Sequence, residues 1–220
     1  MGREEDVTAV LATLSRAYPT FADSDDPWMT NGLSATEYRM ITSVALSTMT
    51  RSERVIRAAV ALYEVADSFE ALAAMQPDDL VPLIKPVAHY NRKAALLPRM
   101  ARDIRDLHGG HVPADHDQLM ALPGIGRKCA DLTMNFLHDT PTVGVDTHVH
   151  RVVNRLGWVA TTTAEATADA LAVVVPDGSK PHAHEYLIQL GMQVCVARTP
   201  LCSTCPVAQW CPRVGVNRST

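Results

Sequence analysis

Leu122-Pro123-Gly124-Ile125-Gly126-Arg127-Lys128 lies between two short helical patterns. Asp115 is placed to cap the first pattern, which runs to about Ala121; the second carries Cys129, Leu132 and Phe136 on one face. Two glycines two apart permit positive φ and leave the backbone bare. The turn opens directly into a helix N-terminus. There, amides without intrahelical acceptors and the positive end of the helix dipole favour an anion. A lone GxG is a weak signal, and a plain tight turn between helices is the alternative. The whole string L-P-G-I-G-R-K is the helix–hairpin–helix pattern, whose backbone suits a phosphate group.

Outward from the hairpin, helical periodicity dominates. Val7, Val10, Leu11 and Leu14 follow i, i+3, i+4, i+7, as do Val55, Ile56, Ala59, Leu62 and Tyr63 behind Ser52 as N-cap. Leu97, Met100, Ala101, Ile104 and Leu107 form a further stripe, and Val149, Val152, Val153 and Leu156 another. Tyr186, Leu187, Leu190, Gly191 and Val194 lead into a cysteine-rich tail. Pro27, Pro77, Pro86, Gly109-Gly110, Pro113, Gly157 and Pro181 punctuate these runs. Ala172–Val175 reads as the end of a buried helix, and Pro98 is expected to kink the helix that holds it. Ala22–Ser34 reads as a long exposed loop, with Trp28 packing back onto the body. No segment alternates like a strand. The fold class is all-α, with about ten short helices.

Composition agrees with a globular chain: 220 residues, 47% hydrophobic and 20% charged. The net charge of −4 argues weakly against a nucleic-acid partner. However, the acidic residues gather near the N-terminus (Glu4, Glu5, Asp6, Asp23, Asp25, Asp26), while Arg92, Lys93, Arg99, Arg102 and Arg105 offer a local basic face. Residues 1–30 lack the apolar core and cleavage site of a secretory leader, and no apolar run approaches the roughly 20 residues of a membrane span. A cytoplasmic chain without a membrane partner is expected.

Three groups of residues carry chemistry. Lys128 stands in the first turn of the helix after the hairpin. The helix dipole and Arg127 disfavour another positive charge there, and a neutral amine is the nucleophile of Schiff-base chemistry. The plain alternative is a phosphate contact. Asp146, in V-D-T-H-V (145–149), starts a helix 18 residues later and is an N-cap or a catalytic carboxylate; the two roles are compatible. Finally, Cys195, Cys202, Cys205 and Cys211 follow C-x6-C-x2-C-x5-C in a chain with five cysteines. An odd count and the absence of a leader disfavour disulfides. Thiolates at this spacing suit an iron–sulfur cluster or structural zinc; a single C-x2-C pair, where zinc sites usually show two, favours iron–sulfur. Cys129 reads as a small core residue.

Together, L-P-G-I-G-R-K (122–128), V-D-T-H-V (145–149) and the four cysteines resemble the endonuclease III family of DNA glycosylases, in order and separation, over about residues 5–213. The resemblance implies two lobes. Residues 30–140 form a six-helix barrel with the helix–hairpin–helix, and residues 1–29 plus 141–220 form a lobe around a [4Fe–4S] cluster held by Cys195, Cys202, Cys205 and Cys211. It also implies a monomer acting on double-stranded DNA that contains damaged bases or abasic sites. The DNA would lie across the cleft, with Lys128 and Asp146 on facing walls and the target nucleotide flipped out. Lys128 would attack C1′ and form the Schiff base, Asp146 would assist, and β-elimination would cut the strand. Leu122, Gly124, Ile125, Gly126, Arg127 and Arg198 would meet the DNA. Oxidised pyrimidines are the implied substrates.

The departures fall where the family probes DNA. In place of the family's L-S-x-Q-T/A-x-D stands Leu46-Ser47-Thr48-Met49-Thr50-Arg51-Ser52, with Met49 at the glutamine. In place of G-L-Y-N-x-K-A stands Ala88-His89-Tyr90-Asn91-Arg92-Lys93-Ala94, with His89 at the leucine wedge. Between Cys195 and Cys202 only Arg198 is basic. Weakened or altered lesion removal is therefore expected, with abasic-site cleavage better preserved. A non-enzymatic DNA-binding paralogue, a changed lesion preference and a zinc-stabilised adaptor remain the alternatives.

Overall fold

The computed structural model describes the chain from Arg3, and its side chains from Glu5, through Thr220. Met1 and Gly2 of the expected cluster lobe, and the Glu4 side chain of the acidic cluster, lie outside the described residues. Twelve α-helices and no strand are found among them. In order these are α1 (Arg3–Ala17), α2 (Pro27–Thr30), α3 (Glu37–Ser47), α4 (Ser52–Tyr63), α5 (Phe69–Ala74), α6 (Pro77–Ile84), α7 (Tyr90–Leu107), α8 (His116–Ala121), α9 (Arg127–His138), α10 (Thr147–Arg155), α11 (Ala164–Val174) and α12 (Lys180–Gln193). Among the described residues no helix is long and apolar enough to cross a membrane.

The chain divides into two compact units, Asp25–His138 and Met1–Ser24 with Asp139–Thr220, each with its own core. This is the two-lobed all-α architecture that the resemblance implies. In the Asp25–His138 lobe, α7 is the central element. Its stripe of Ala94, Leu97, Met100, Ala101 and Ile104 is buried, and it packs against α3, α5 and α6. Burying a Leu or Ile of this kind contributes about 1.5–3 kcal/mol. Leu107, assigned to the same stripe, is instead exposed at the helix end. α7 runs on through Pro98 for 18 residues, and Pro98 is itself buried in the core-facing side. Bidentate pairing of Arg39 with Asp67 (2.7 and 2.6 Å) and Tyr38 Oη donating to the Ala66 carbonyl (2.6 Å) fasten α3 to the turn before α5.

Several local expectations are corrected. Arg51 occupies the N-cap of α4 without a side-chain bond, and Ser52 is already helical. Side-chain caps do form at Thr36, Ser68, Asp115 and Thr163, each accepting an amide from the following turn. Ala22–Ser34 is not simply a loop: Asp26 caps the short α2, and the two lobes divide within this stretch. Trp28 does pack on the barrel-lobe core, with Nε1 donating to Ser34 Oγ at 2.8 Å. Pro27, Pro77 and Pro181 sit in first turns of helices, where the missing amide costs nothing, so they start helices rather than end them. Ala172–Val175 does close helix α11, with Val175 as its buried C-cap, but the end is not buried throughout: Ala172 and Val173 face solvent.

In the second lobe, Val7, Val10, Leu11 and Leu14 of α1 pack with Val149, Val152 and Val153 of α10, with Leu156 at its C-cap, and with Leu187 and Leu190 of α12. α10 and α12 cross at Gly191. A Cβ there would stand 2.9 Å from the His148 Cβ and 3.2 Å from Val152 Cγ2, so only hydrogen fits without displacement. The chain leaving α1 is held by α12: buried Glu185 accepts from the Phe21 amide (2.5 Å), and Gln189 Nε2 donates to the Pro19 carbonyl (3.0 Å).

Candidate active site and cysteine loop

The hairpin is built as its sequence dictates. Asp115 Oδ1 caps α8 through the Gln118 amide (2.9 Å), and Gly124 takes φ +86, which lets the chain double back into α9. Gly126 does not adopt positive φ. A Cβ there would meet nothing within 4 Å, leaving the backbone ahead of α9 approachable on that side. Leu122 and Ile125 are buried in the barrel-lobe core, so their side chains anchor the hairpin and can meet a phosphate only through the backbone. The first-turn amides of α9 lack helical acceptors, as in any helix.

Arg127 is half-buried and has a structural task. Its Nε donates to Asp131 Oδ2 at 3.1 Å, while His116 Nε2 meets Asp131 Oδ1 at 3.1 Å. Asp131 is 4% exposed and ties α8 to α9. Burial pushes its carboxyl up, against the opposing pull of Arg127 and His116. Lys128 follows in the first turn of α9, half-buried. Its neighbour Cys129 is core: the thiol is buried, raised by that burial, and 3.7 Å from the Val44 carbonyl.

Asp146 belongs to the second lobe. Its Oδ1 accepts from the His148 amide (2.8 Å) and the Val149 amide (2.9 Å), the N-cap of α10. Met49 and His89 sit in the barrel lobe, and both adopt left-handed backbone, φ +55 in each case. Met49 is 83% exposed and His89 is exposed as well. Such φ values are uncommon for non-glycine residues and mark a constrained turn. Lys93, counted in the expected basic face of α7, is buried, and Arg105 is paired with Asp106 at 2.6 Å. The exposed basic residues of that helix thus reduce to Arg92, Arg99 and Arg102 plus this neutralised pair.

All four tail cysteines are unpaired and line one cavity together with Val194 and Leu201. Burial raises the Cys205 and Cys211 thiols, and the neighbouring cysteines raise them further. Four thiolates so close repel one another unless a multiply charged cation lies among them, so the donor set suits a metal centre. Among the described residues no three His, Cys, Asp or Glu side chains converge closely enough to hold a single metal ion.

Two arginines of α10 that sequence reasoning did not single out organise this loop. Arg151 Nε donates to the Cys195 carbonyl (2.9 Å) and its Nη2 to the Gly191 carbonyl (2.7 Å). Arg155 donates to the carbonyls of Val196 (2.8 Å) and Ala197 (2.7 Å), with Nη1 3.4 Å from Cys195 Sγ. The Arg155 carbonyl in turn accepts from the Val214 amide (3.1 Å) and lies 3.4 Å from Cys211 Sγ. Arg198 lines a neighbouring polar cavity with Arg155 and Arg218.

These residues place the chain in a class. Residues 42–177 match the HhH-GPD superfamily of base excision DNA repair proteins, and residues 195–211 match the iron–sulfur binding domain of endonuclease III. The chain belongs to this superfamily and is an endonuclease III-like base excision repair DNA glycosylase with an iron–sulfur domain. It is 36% identical to endonuclease III of Thermotoga maritima over 174 residues, spanning 79% of this chain and 82% of that protein. To endonuclease III of Escherichia coli K12 it is 34% identical, with the same coverage. A solved structure described as a trapped endonuclease III–DNA covalent intermediate superposes with a TM-score of 0.85 at 25% identity, covering 97% of each chain.

Proposed function

We propose that this protein removes oxidised pyrimidines from double-stranded DNA and cleaves abasic sites, as a monomer, with Lys128 as nucleophile and Asp146 as its assisting carboxylate. The observation that carries the reading is Lys128 in the first turn of α9, directly behind a hairpin whose Gly124 is left-handed and whose Gly126 is open. The covalent DNA intermediate described for the structural relative supports the same chemistry.

The Lys128 Nζ lone pair bonds to C1′ as the glycosidic C–N bond breaks. Its electron pair leaves with the base, which gains a proton. Asp146 stabilises the positive charge developing on the sugar and handles protons. Ring opening gives a protonated Schiff base. Loss of a 2′ proton then drives the electron pair toward C3′ and expels the 3′ phosphate, and water hydrolyses the imine to regenerate the amine. The backbone at Leu122, Gly124, Ile125 and Gly126, with Arg127, holds a phosphate of the strand; Arg198 holds another. Met49 and His89 enter the duplex where the nucleotide is flipped.

Cys195, Cys202, Cys205 and Cys211 hold a [4Fe–4S] cluster. Tetrahedral zinc, with Zn–S of about 2.3 Å, needs its thiolates drawn together around one ion. Four thiols lining a common cavity, with a single C-x2-C pair among them, support the iron–sulfur centre. The cluster's role is structural: it ties down residues 195–211, where only single 3-10 turns form. The barrel corresponds to the unit Asp25–His138 and the cluster lobe to Met1–Ser24 with Asp139–Thr220, within a few residues of the expected 30–140 and 1–29 plus 141–220.

Met49 cannot hydrogen-bond the orphaned partner base, so base removal is slowed more than abasic-site cleavage. Parallel single-turnover assays on a thymine-glycol duplex and an abasic duplex test this. Abasic cleavage faster than base removal, with a 3′ unsaturated aldehyde product lost in Lys128→Ala, is expected. Base removal as fast as abasic cleavage contradicts the weakened step, and cleavage that persists in Lys128→Ala contradicts the mechanism.

A further inference from the structure

The Lys93 ammonium is buried, 8% exposed, with no carboxylate partner among its hydrogen bonds. Nζ donates to the carbonyls of Leu46 (2.7 Å) and Thr48 (2.9 Å) and lies 3.4 Å from Thr50 Oγ1. Those acceptors surround Met49 in sequence. Thr50 Oγ1 also accepts from the amide of Ala88 (3.0 Å), the residue before His89, and the His89 carbonyl accepts the Lys93 amide (3.0 Å). One cation and one hydroxyl thus join the two turns whose tips carry left-handed Met49 and His89. Left-handed backbone at non-glycine residues is strained and persists only where the surroundings enforce it. Carbonyls drawn onto a buried ammonium supply that enforcement, because charged hydrogen bonds are the strong ones in a low-dielectric interior.

We propose that Lys93 is a positioning residue that, through Thr50, locks the Met49 and His89 turns into one rigid double wedge for unstacking duplex DNA. The inference rests on the reading of Met49 and His89 as DNA-entering residues. Burial lowers the Lys93 pKa to about 8 from 10.5, Cys129 opposes that shift, and Lys128 adds to it; both are on α9. The groups that α3 and the Met49 turn present to it are uncharged carbonyls and the Thr50 hydroxyl. As pH rises through about 8 the amine loses its charge and one donor, and the wedge loosens. The sign for global stability is opposite. Between about 8 and 10.5 the unfolded chain binds more protons at this residue than the folded chain, so its contribution to stability rises with pH. Loss of the wedge in that window is therefore local and not unfolding.

The test uses a duplex with a tetrahydrofuran abasic analogue, which is not cleaved, opposite 2-aminopurine, whose fluorescence rises on unstacking. Wild type raises the signal, Met49→Ala abolishes the rise, and Lys93→Met reduces it about tenfold, the loss of roughly one charge-assisted hydrogen bond, while binding stays within about threefold. The Met49→Ala/Lys93→Met double variant behaves like Met49→Ala alone, since both act through the same tip. The wild-type rise falls between pH 7 and 9. Thr50→Val, which keeps the β-branched shape, reduces the rise in the same direction and decides the matter if Lys93→Met does not fold. An undiminished rise in Lys93→Met, or in Thr50→Val where only that variant folds, overturns the proposal. Failure of the wild type to bind or cleave abasic DNA instead overturns the proposed function itself.

Discussion

Replacing Arg155 with Met keeps most of the side-chain volume but removes the guanidinium that holds the loop entering the cysteine site. Two bonds are lost outright, to the carbonyls of Val196 at 2.8 Å and Ala197 at 2.7 Å, together with the positive charge 3.4 Å from Cys195 Sγ. Hydrogen bonds to charged groups contribute about 1.5–3 kcal/mol each, and solvent access at Ala197 reduces this to about 1–1.5 kcal/mol per bond. The expected destabilisation is therefore about 2–3 kcal/mol, or about 5–10 °C in melting temperature for a chain of this length. The assay is thermal unfolding followed in parallel by far-UV circular dichroism and by the visible absorbance of the iron–sulfur centre. The visible band is predicted to vanish first, because the lost bonds belong to residues 195–197. Arg155→Lys, which keeps the charge but not the fork, falls between the two. A Met variant that melts within about 1 °C of wild type and bleaches at the same rate refutes the assignment of Arg155 as the loop's anchor.

Two further substitutions test the cluster lobe. Gly191→Ala places a methyl group 2.9 Å from the His148 Cβ and should destabilise the chain by about 1–3 kcal/mol in urea unfolding, despite the better helix propensity of alanine. Asp146→Ala removes the acceptor of the His148 and Val149 amides and should cost about 1 kcal/mol as well as base removal. Asp146→Asn keeps the cap and the melting temperature while losing activity, and equal loss of stability in both variants would falsify the separation of capping from chemistry.

What the sequence revealed depended on how local the physics was. The stripes of α1, α4, α10 and α12 are read from spacing alone, because burying a helix face requires it. The hairpin is equally local, since Gly124 and the Asp115 cap act within a few residues. Long-range polar partners left little trace. Arg155 at the end of a helix reads as an ordinary complement to the dipole; nothing in its neighbours announces carbonyls some forty residues away. Asp131 likewise looks like a surface residue until His116 and Arg127 are seen around it. Lys93 carried a signal that composition obscured. It stands on the stripe of Leu97, Met100 and Ile104, where a charge is out of place, and counting it with Arg92 and Arg99 as a basic face missed that. The cap at Ser52 failed because a preceding extended residue, whatever its type, can fill that position; here it is Arg51.

The central claim is that the Lys128 amine forms the covalent bond to DNA. Incubation of the protein with an abasic-site duplex in the presence of sodium borohydride, followed by denaturing electrophoresis, tests it most directly. Wild type is expected to give a stable protein–DNA adduct and Lys128→Ala none. No adduct in wild type, or an undiminished adduct in Lys128→Ala, contradicts it.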